Sequence, residues 1–341
     1  MKTLVDPLLD GAPVDLPALE DFLRQVMAGE VEPVQVAAVL VALRTRAPDG
    51  PTLAAMARVM REHRLAVSCQ ARPLIDTCGT GGDGLSTFNI STAAALVVAA
   101  AGGAVAKHGN RGVSSPTGSA DVLEAAGVVI DLDPEGAQRL IDATGFTFLF
   151  AQRFHPAMAH VAPVRRSLGI RSHFNLLGPL SNPALAEYQL LGVNAPELTR
   201  PLADALAELG TQGALVVHCG GLDEIGLHDV TVGHRVRDGR VEDFRLDPSE
   251  LDVTPAPVEA LAGGAPAESA ALLEDVLALR ADAAKHDIVV LNAGVALHLA
   301  GLADSVADGL GRARETLEQG RATELLDRVR SSSRRLAEQV A

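Results

Sequence analysis

Residues 74–127 constrain the fold more than any other stretch of the chain. Leu74 to Cys78 reads as a short buried strand, Gly79-Thr80-Gly81-Gly82-Asp83-Gly84 as a loop that cannot be helical, and Ile90 to Ala101 as an apolar helix. Strand, glycine loop and helix in that order make a place for an anion. Glycines let successive backbone N–H groups turn toward one point, and a helix that starts after Asn89 and Ser91 adds its partial positive charge. Phosphate is the first candidate.

Two known phosphate loops are tested by the residues they require. Gly79 to Gly84 matches the opening of a P-loop, but Leu85-Ser86 follows where that motif needs its lysine. Gly79, Gly81 and Gly84 also satisfy G-x-G-x-x-G, a dinucleotide fingerprint that needs an acidic residue about twenty positions later for the ribose hydroxyls. No Asp or Glu stands between Gly84 and Ala120. A strand at Ala104 to Ala106 instead delivers Lys107, His108, Asn110 and Arg111, followed by Ser114, Ser115, Thr117 and Ser119, all donors for phosphate oxygens. Such a cluster alone is usually a solvated basic turn; a glycine loop and a hydroxyl-rich loop after consecutive strands favour an anion site.

Composition makes that site local. A net charge of −14 over 341 residues argues against a nucleic-acid or anionic-membrane partner, since either would need a basic face. Cys69, Cys78 and Cys219 are widely spaced, without the pairing of a zinc site or a disulfide framework. The N-terminus has no basic head before a long apolar run, and Ile90 to Ala106 is too alanine-rich to span a bilayer, so a cytoplasmic location is expected.

Residues 1–70 read as helices only. Asp15 is a cap for a helix with Leu16, Leu19, Phe22, Leu23 and Val26 on one face, and Thr52 for another with Leu53, Met56, Val59 and Met60. Val34 to Leu43 is apolar almost all round and needs cover on several sides. From Leu74 the rhythm changes to alternating strands and helices: helix 119–126, strand 128–131, helix 134–144, strand Phe146 to Phe150, strand 188–193, helix 196–209 and strand Ala214 to His218. That rhythm predicts an α/β sheet flanked by helices. A hairpin tip is expected at Arg237 to Arg240, a loop over 252–268 and a strand at Ile288 to Leu291.

Two further constellations carry chemistry. His155, His160, Arg165, Arg166, Arg171 and His173 crowd one segment, whose scattered histidines lack the i, i+4 pairing of a helical zinc site. Asp223 and Glu224 follow a strand and a glycine turn, where an open α/β sheet presents residues to its ligand crevice. Beside a phosphate site, such carboxylates suit Mg²⁺ shared with substrate oxygens.

GTGGDG, TFNIST, KHGNR and GSADVLEA, with HPAM, PVRR-x-LGIR, FNLLGPL-x-NPA, GLDE and the C-terminal LNAGVALHLAGLADS, stand in the order and spacing of the anthranilate phosphoribosyltransferase family. The chain resembles that family from about residue 15 onward. The resemblance implies a small helical domain, residues 1–70 with about 165–187, and a larger α/β domain with a mostly parallel sheet, 71–164 with about 188–341. It implies transfer of a phosphoribosyl group from phosphoribosyl pyrophosphate to anthranilate, in tryptophan biosynthesis. Around phosphoribosyl pyrophosphate it places Gly79, Gly82, Asp83, Thr87, Asn89, Ile90, Ser91, Thr92, Lys107, His108, Gly109, Asn110, Arg111, Gly112, Val113, Ser114, Ser115 and Ser119. Gly79, Asn110 and Arg165 fall to anthranilate, and Ser91, Asp223 and Glu224 to two Mg²⁺ per subunit. No general base is assigned with certainty; His108 is the candidate. A homodimer through the helical domain would give Val34 to Leu43 a partner.

One departure is visible: Cys219-Gly220 precedes Gly221-Leu222-Asp223-Glu224, where the family has a glycine and then an acidic residue. The rivals are a pyrimidine nucleoside phosphorylase, disfavoured by Gly109-Asn110-Arg111 after the Lys-His pair, and a non-catalytic nucleic-acid-binding relative, disfavoured by the −14 charge.

Overall fold

Apolar runs too continuous to leave a face to solvent form the middle of the computed structural model, which describes residues 2–112 and 116–339. They are strands β1 (Leu74–Gly79), β2 (Ala104–Gly109), β3 (Phe146–Phe150), β4 (Tyr188–Gly192) and β5 (Gly213–His218), joined by β6 (Thr231–Arg237) and β7 (Arg240–Leu246). The order is β3-β2-β1-β4-β5-β6-β7. The first five strands are parallel, and β6 and β7 add an antiparallel hairpin turning at Asp238-Gly239. Strand order reverses between β1 and β4, the point at which a doubly wound sheet opens a crevice beyond its strand ends.

Helix Ile90–Ala100 is buried on nearly every side because it lies between β1 and β2 and the long helices Ala283–Leu299 and Arg321–Glu338. Its alanines let all these neighbours approach closely. Among the described residues no helix is long and apolar enough to cross a membrane.

A second apolar cluster joins helices Leu16–Met27, Pro33–Arg44 and Gly50–Glu62 to Val161, Val164, Phe174, Leu177 and Leu180. It continues through Leu202 and Leu206 to Leu191 and Val216 in the sheet, so the helical bundle and the sheet share packing. In helix Pro33–Arg44, Val36, Val39, Leu40 and Leu43 are buried, whereas Val34 is 75% and Val41 40% exposed.

Several local expectations are corrected. Asp15 does cap its helix, accepting from Ala18 N at 3.1 Å, but Thr52 is not the cap of the next. That cap is Asp49, which accepts from both Thr52 N and Thr52 Oγ1 at 2.9 Å. Residues 128–131 form no strand: Val129 N donates to Ser333 Oγ at 3.1 Å instead of to a sheet neighbour. Residues 288–291 lie inside helix Ala283–Leu299, started by Asp282 accepting from Lys285 N. A short β-branched run buried all round looks the same in sequence whether it is strand or helix. The segment predicted as helix 196–209 opens with a 3-10 turn, and its α-helix is Thr199–Glu208.

The seam between β1, β2 and the 182–184 segment is polar and buried. Asn182 Nδ2 donates to Asp76 Oδ2 and to Ala106 O, both at 2.8 Å, and Asn182 Oδ1 accepts from Ala184 N at 2.9 Å. Asn182→Ala strands all three partners away from water, so unfolding free energy should fall by ~2–4 kcal/mol. A lower urea midpoint with an unchanged m-value is the expected observation; an unaltered midpoint would refute the role of this junction.

Candidate functional site

The strand ends β1, β2, β4 and β5 meet at one crevice, and its geometry begins with two glycines. Gly79 and Gly192 pair directly across the β1–β4 ladder. The backbone of Asp223 crosses both of them: a Cβ on Gly192 would collide with the Asp223 carbonyl, and one on Gly79 with its carboxylate. Residues 219–224 therefore fold back over the sheet through a turn closed by Cys219 and Leu222, with Gly220 at φ 49° and Gly221 at φ 96°. Cys219 is buried, its thiol donating to Asp229 O at 3.2 Å, so the first of the two residues that depart from the family pattern braces the turn from inside.

This crossing sets the two carboxylates against the glycine loop and the helix start. Asp223 Oδ2 accepts from Gly81 N at 2.7 Å, and Glu224 Oε1 accepts from Ser91 N at 3.0 Å. Burial, then the neighbouring charges of Glu224 and Asp83, push the Asp223 carboxyl well above the usual carboxylate range. Burial likewise raises Glu224 to about 7, against the pull of Lys107. Among the described residues no group of three or more His, Cys, Asp or Glu holds a metal unaided. Oxygen donors that repel one another fit a hard divalent cation, and Mg²⁺ takes one or two carboxylates and fills its shell with water and substrate oxygens.

Lys107 supplies the interior positive charge. The residue is only 1% exposed, and its ammonium donates to Thr77 O and, at 3.2 Å, to Ser91 Oγ. Burial lowers its pKa while Asp76 and Glu224 oppose that shift. This nitrogen thereby holds the β1 backbone and the serine beside Glu224.

His108 is neutral, burial and then His155 lowering its pKa to about 3. Its Nδ1 lies 2.9 Å from Gly178 O, and since a carbonyl only accepts, Nδ1 carries the proton. Among the described residues Nε2 is left as a buried lone pair with no partner. Arg111 pairs with Asp121 at 3.0 Å and Glu124 at 2.7 Å and lies over the Phe150 ring. Asp121 also accepts from Gly112 N and Gly118 N, tying together the two sides of the hydroxyl-rich loop.

Arg165, in the last turn of helix Ala162–Leu168, is half-buried with its guanidinium 5.7 Å from the Phe174 ring centre. Burial lowers its pKa, and among the described residues it has no carboxylate partner. Every residue expected at the site faces one cleft of about 830 Å³, except Val113, Ser114 and Ser115, which lie outside the described residues. Arg171, one of the crowded basic residues, also lines it, and Asp76, Asn182 and Asn194, to which sequence reasoning gave no part, hold the strand and loop backbone around it. Asp76 carried a signal, a carboxylate inside an otherwise buried strand; burial raises it to about 6.

Comparison with known proteins agrees with this geometry. Residues 71–323 match the α/β domain of a glycosyl transferase family, and residues 2–64 match the helical bundle domain of the same family. The chain is 46% identical over 338 residues to an anthranilate phosphoribosyltransferase of Symbiobacterium thermophilum, covering 98% of each. Its structure is similar to that of the Thermus thermophilus anthranilate phosphoribosyltransferase, with a TM-score of 0.91, 46% identity and coverage of 97% of this chain and 99% of that one. The Saccharomyces cerevisiae enzyme, solved in complex with PRPP and Mg, superposes with a TM-score of 0.87 at 27% identity over 97% of each chain. Full-length similarity, the two-part architecture and the convergent cleft together establish that the chain belongs to the anthranilate phosphoribosyltransferase family.

Proposed function

We infer that the cleft transfers the phosphoribosyl group of 5-phospho-α-D-ribose 1-diphosphate to the amine of anthranilate, giving N-(5-phosphoribosyl)anthranilate and pyrophosphate. The observation that carries this reading is the convergence of the glycine loop, the start of helix Ile90–Ala100 and the Asp223–Glu224 pair on one crevice, with an acid-free guanidinium at its side. Breaking the bond at C1 of the ribose builds positive charge on the sugar and negative charge on the leaving diphosphate. The protein has to stabilise that diphosphate and hold the amine in line, and no covalent nucleophile is needed.

In this reading the glycine loop, residues 89–92 and residues 107–115 with Ser119 bind phosphoribosyl pyrophosphate. Gly79, Asn110 and Arg165 bind anthranilate. Asp223, Glu224 and Ser91 hold two Mg²⁺, which supply charge neutralisation at the diphosphate when bound. His108 keeps its proton on Nδ1 and leaves Nε2 unprotonated, which makes it the candidate acceptor of the arylamine proton; burial makes it a weak base, so the acidity that nitrogen gains as the new bond forms has to drive the transfer. The helical unit is read as residues 1–70 with about 165–187, supported by the packing of helix Ala162–Leu168 on helix Pro33–Arg44. The exposed Val34 and Val41 on that helix support a homodimer through this unit.

Loss of anthranilate fluorescence in the presence of phosphoribosyl pyrophosphate and Mg²⁺ tests the reaction directly, and absence of turnover would refute it. Asp223→Asn combined with Glu224→Gln should reduce turnover by more than ~100-fold at limiting Mg²⁺, with partial recovery as Mg²⁺ is raised. Wild-type turnover of this double variant at limiting Mg²⁺ would exclude these carboxylates as the metal site.

Arg165→Ala should raise the KM for anthranilate ~10–100-fold, equivalent to one lost charge-assisted hydrogen bond, and leave that for phosphoribosyl pyrophosphate nearly unchanged. Aniline, which lacks the carboxylate, should be a poor substrate for the native protein and lose little more in the variant. Equal losses for both amines would assign Arg165 to structure instead.

A further inference from the structure

Two side chains with no part in the assignments above converge on the carbonyls of the glycine loop. Asn194, just beyond the end of β4, donates through Nδ2 to Gly82 O at 2.9 Å. Arg171 comes from the other direction, out of the loop after helix Ala162–Leu168, with Nη2 3.4 Å from Gly81 O and Nη1 3.5 Å from Gly82 O. The guanidinium can lie there only because residue 82 has no side chain: a Cβ would overlap Nη1. Gly81 and Gly82 are both left-handed, at φ 65° and 82°.

A trans peptide places its C=O and the following N–H on opposite edges. With Gly81 O turned to Arg171, the N–H of Gly82 faces away from that guanidinium. With Gly82 O held by Asn194, the N–H of Asp83 likewise faces away from the amide. Among the described residues neither N–H has a partner in the protein, while Gly81 N is taken up by Asp223. Two successive unspent amides in a glycine loop are an anion-binding concavity.

We propose that Asn194 and Arg171 are positioning residues that aim the Gly82 and Asp83 amides at an anionic oxygen of the phosphoribosyl donor, acting through the backbone. The identity of that donor rests on the function inferred above; the orientation of the loop does not. Arg171 reaches the loop from the segment that follows Arg165, so the same contact ties the amine side of the cleft to the phosphate side.

Asn194→Leu keeps the side-chain size and removes the donor, Arg171→Ala removes the exposed guanidinium, and Arg171→Lys keeps one charged donor. In the substrate-free protein, amide hydrogen exchange over residues 80–85 should rise at least ~3-fold in Asn194→Leu and in Arg171→Ala, and return most of the way in Arg171→Lys. The KM for phosphoribosyl pyrophosphate should rise ~10-fold in the first two, with kcat at saturation within about twofold of the native value. Unchanged loop exchange in Arg171→Ala, whose exposed position threatens no folding, overturns the proposal whatever the activity. So does a KM increase confined to anthranilate. Because exchange is read without turnover, an inactive native protein would refute the functional reading and leave this test standing.

Discussion

A chain crossing at the seam of β1 and β4 governs this molecule. Asp223 passes over Gly79 and Gly192 so closely that neither strand can carry a side chain at that level. Everything chemical follows from the crossing: it lays Asp223 against the glycine loop and Glu224 against the first turn of helix Ile90–Ala100. Parallel strands direct their ends to one side, so four of them deliver the glycine loop, the Lys107–Asn110 turn, Asn194 and the carboxylate loop to the same crevice.

Beneath the crevice, charge is balanced within the protein. Lys107 lies between Asp76 and Glu224, and Asn182 and the His108 amide add hydrogen bonds to Asp76. A buried ion cluster of this kind adds little net stability, since desolvation offsets most of the attraction, but removing one member leaves another charge unpaired. Its effect is to fix the level of β1 relative to β2, and so the distance from Ser91 to the carboxylate loop.

Much of this was legible in the sequence because the signals are local. Gly79 to Gly84, the Lys107–Arg111 turn and the adjacent carboxylates each announce a loop chemistry within a few residues, and the alternation of strands and helices announces the sheet. What could not be read depends on contacts between distant segments. Val129 leaves the sheet because Ser333 receives its N–H, and Ile288 to Leu291 continues the helix that Asp282 starts by accepting from Lys285 N. Asn194 looks like an ordinary loop residue, and Arg171 like one member of a basic cluster, until the fold brings them to the carbonyls of Gly81 and Gly82. The Thr52 expectation missed by three positions because Asp49 offers two acceptor oxygens, one for the Thr52 amide and one for its hydroxyl.

Glu224 accepts from Ser91 N at the mouth of helix Ile90–Ala100, and that has a consequence for selectivity. The N-terminal end of a helix usually favours an anion, but here the protein's own carboxylate already stands on it. A bare phosphate, which abounds in any cell, would meet negative charge where the helix dipole should have drawn it in. On the function inferred above, a diphosphate that arrives chelated to a divalent cation would instead bring the species those carboxylates attract, and the site would sort polyanions by whether they carry their own counterion before any contact with the sugar or the amine.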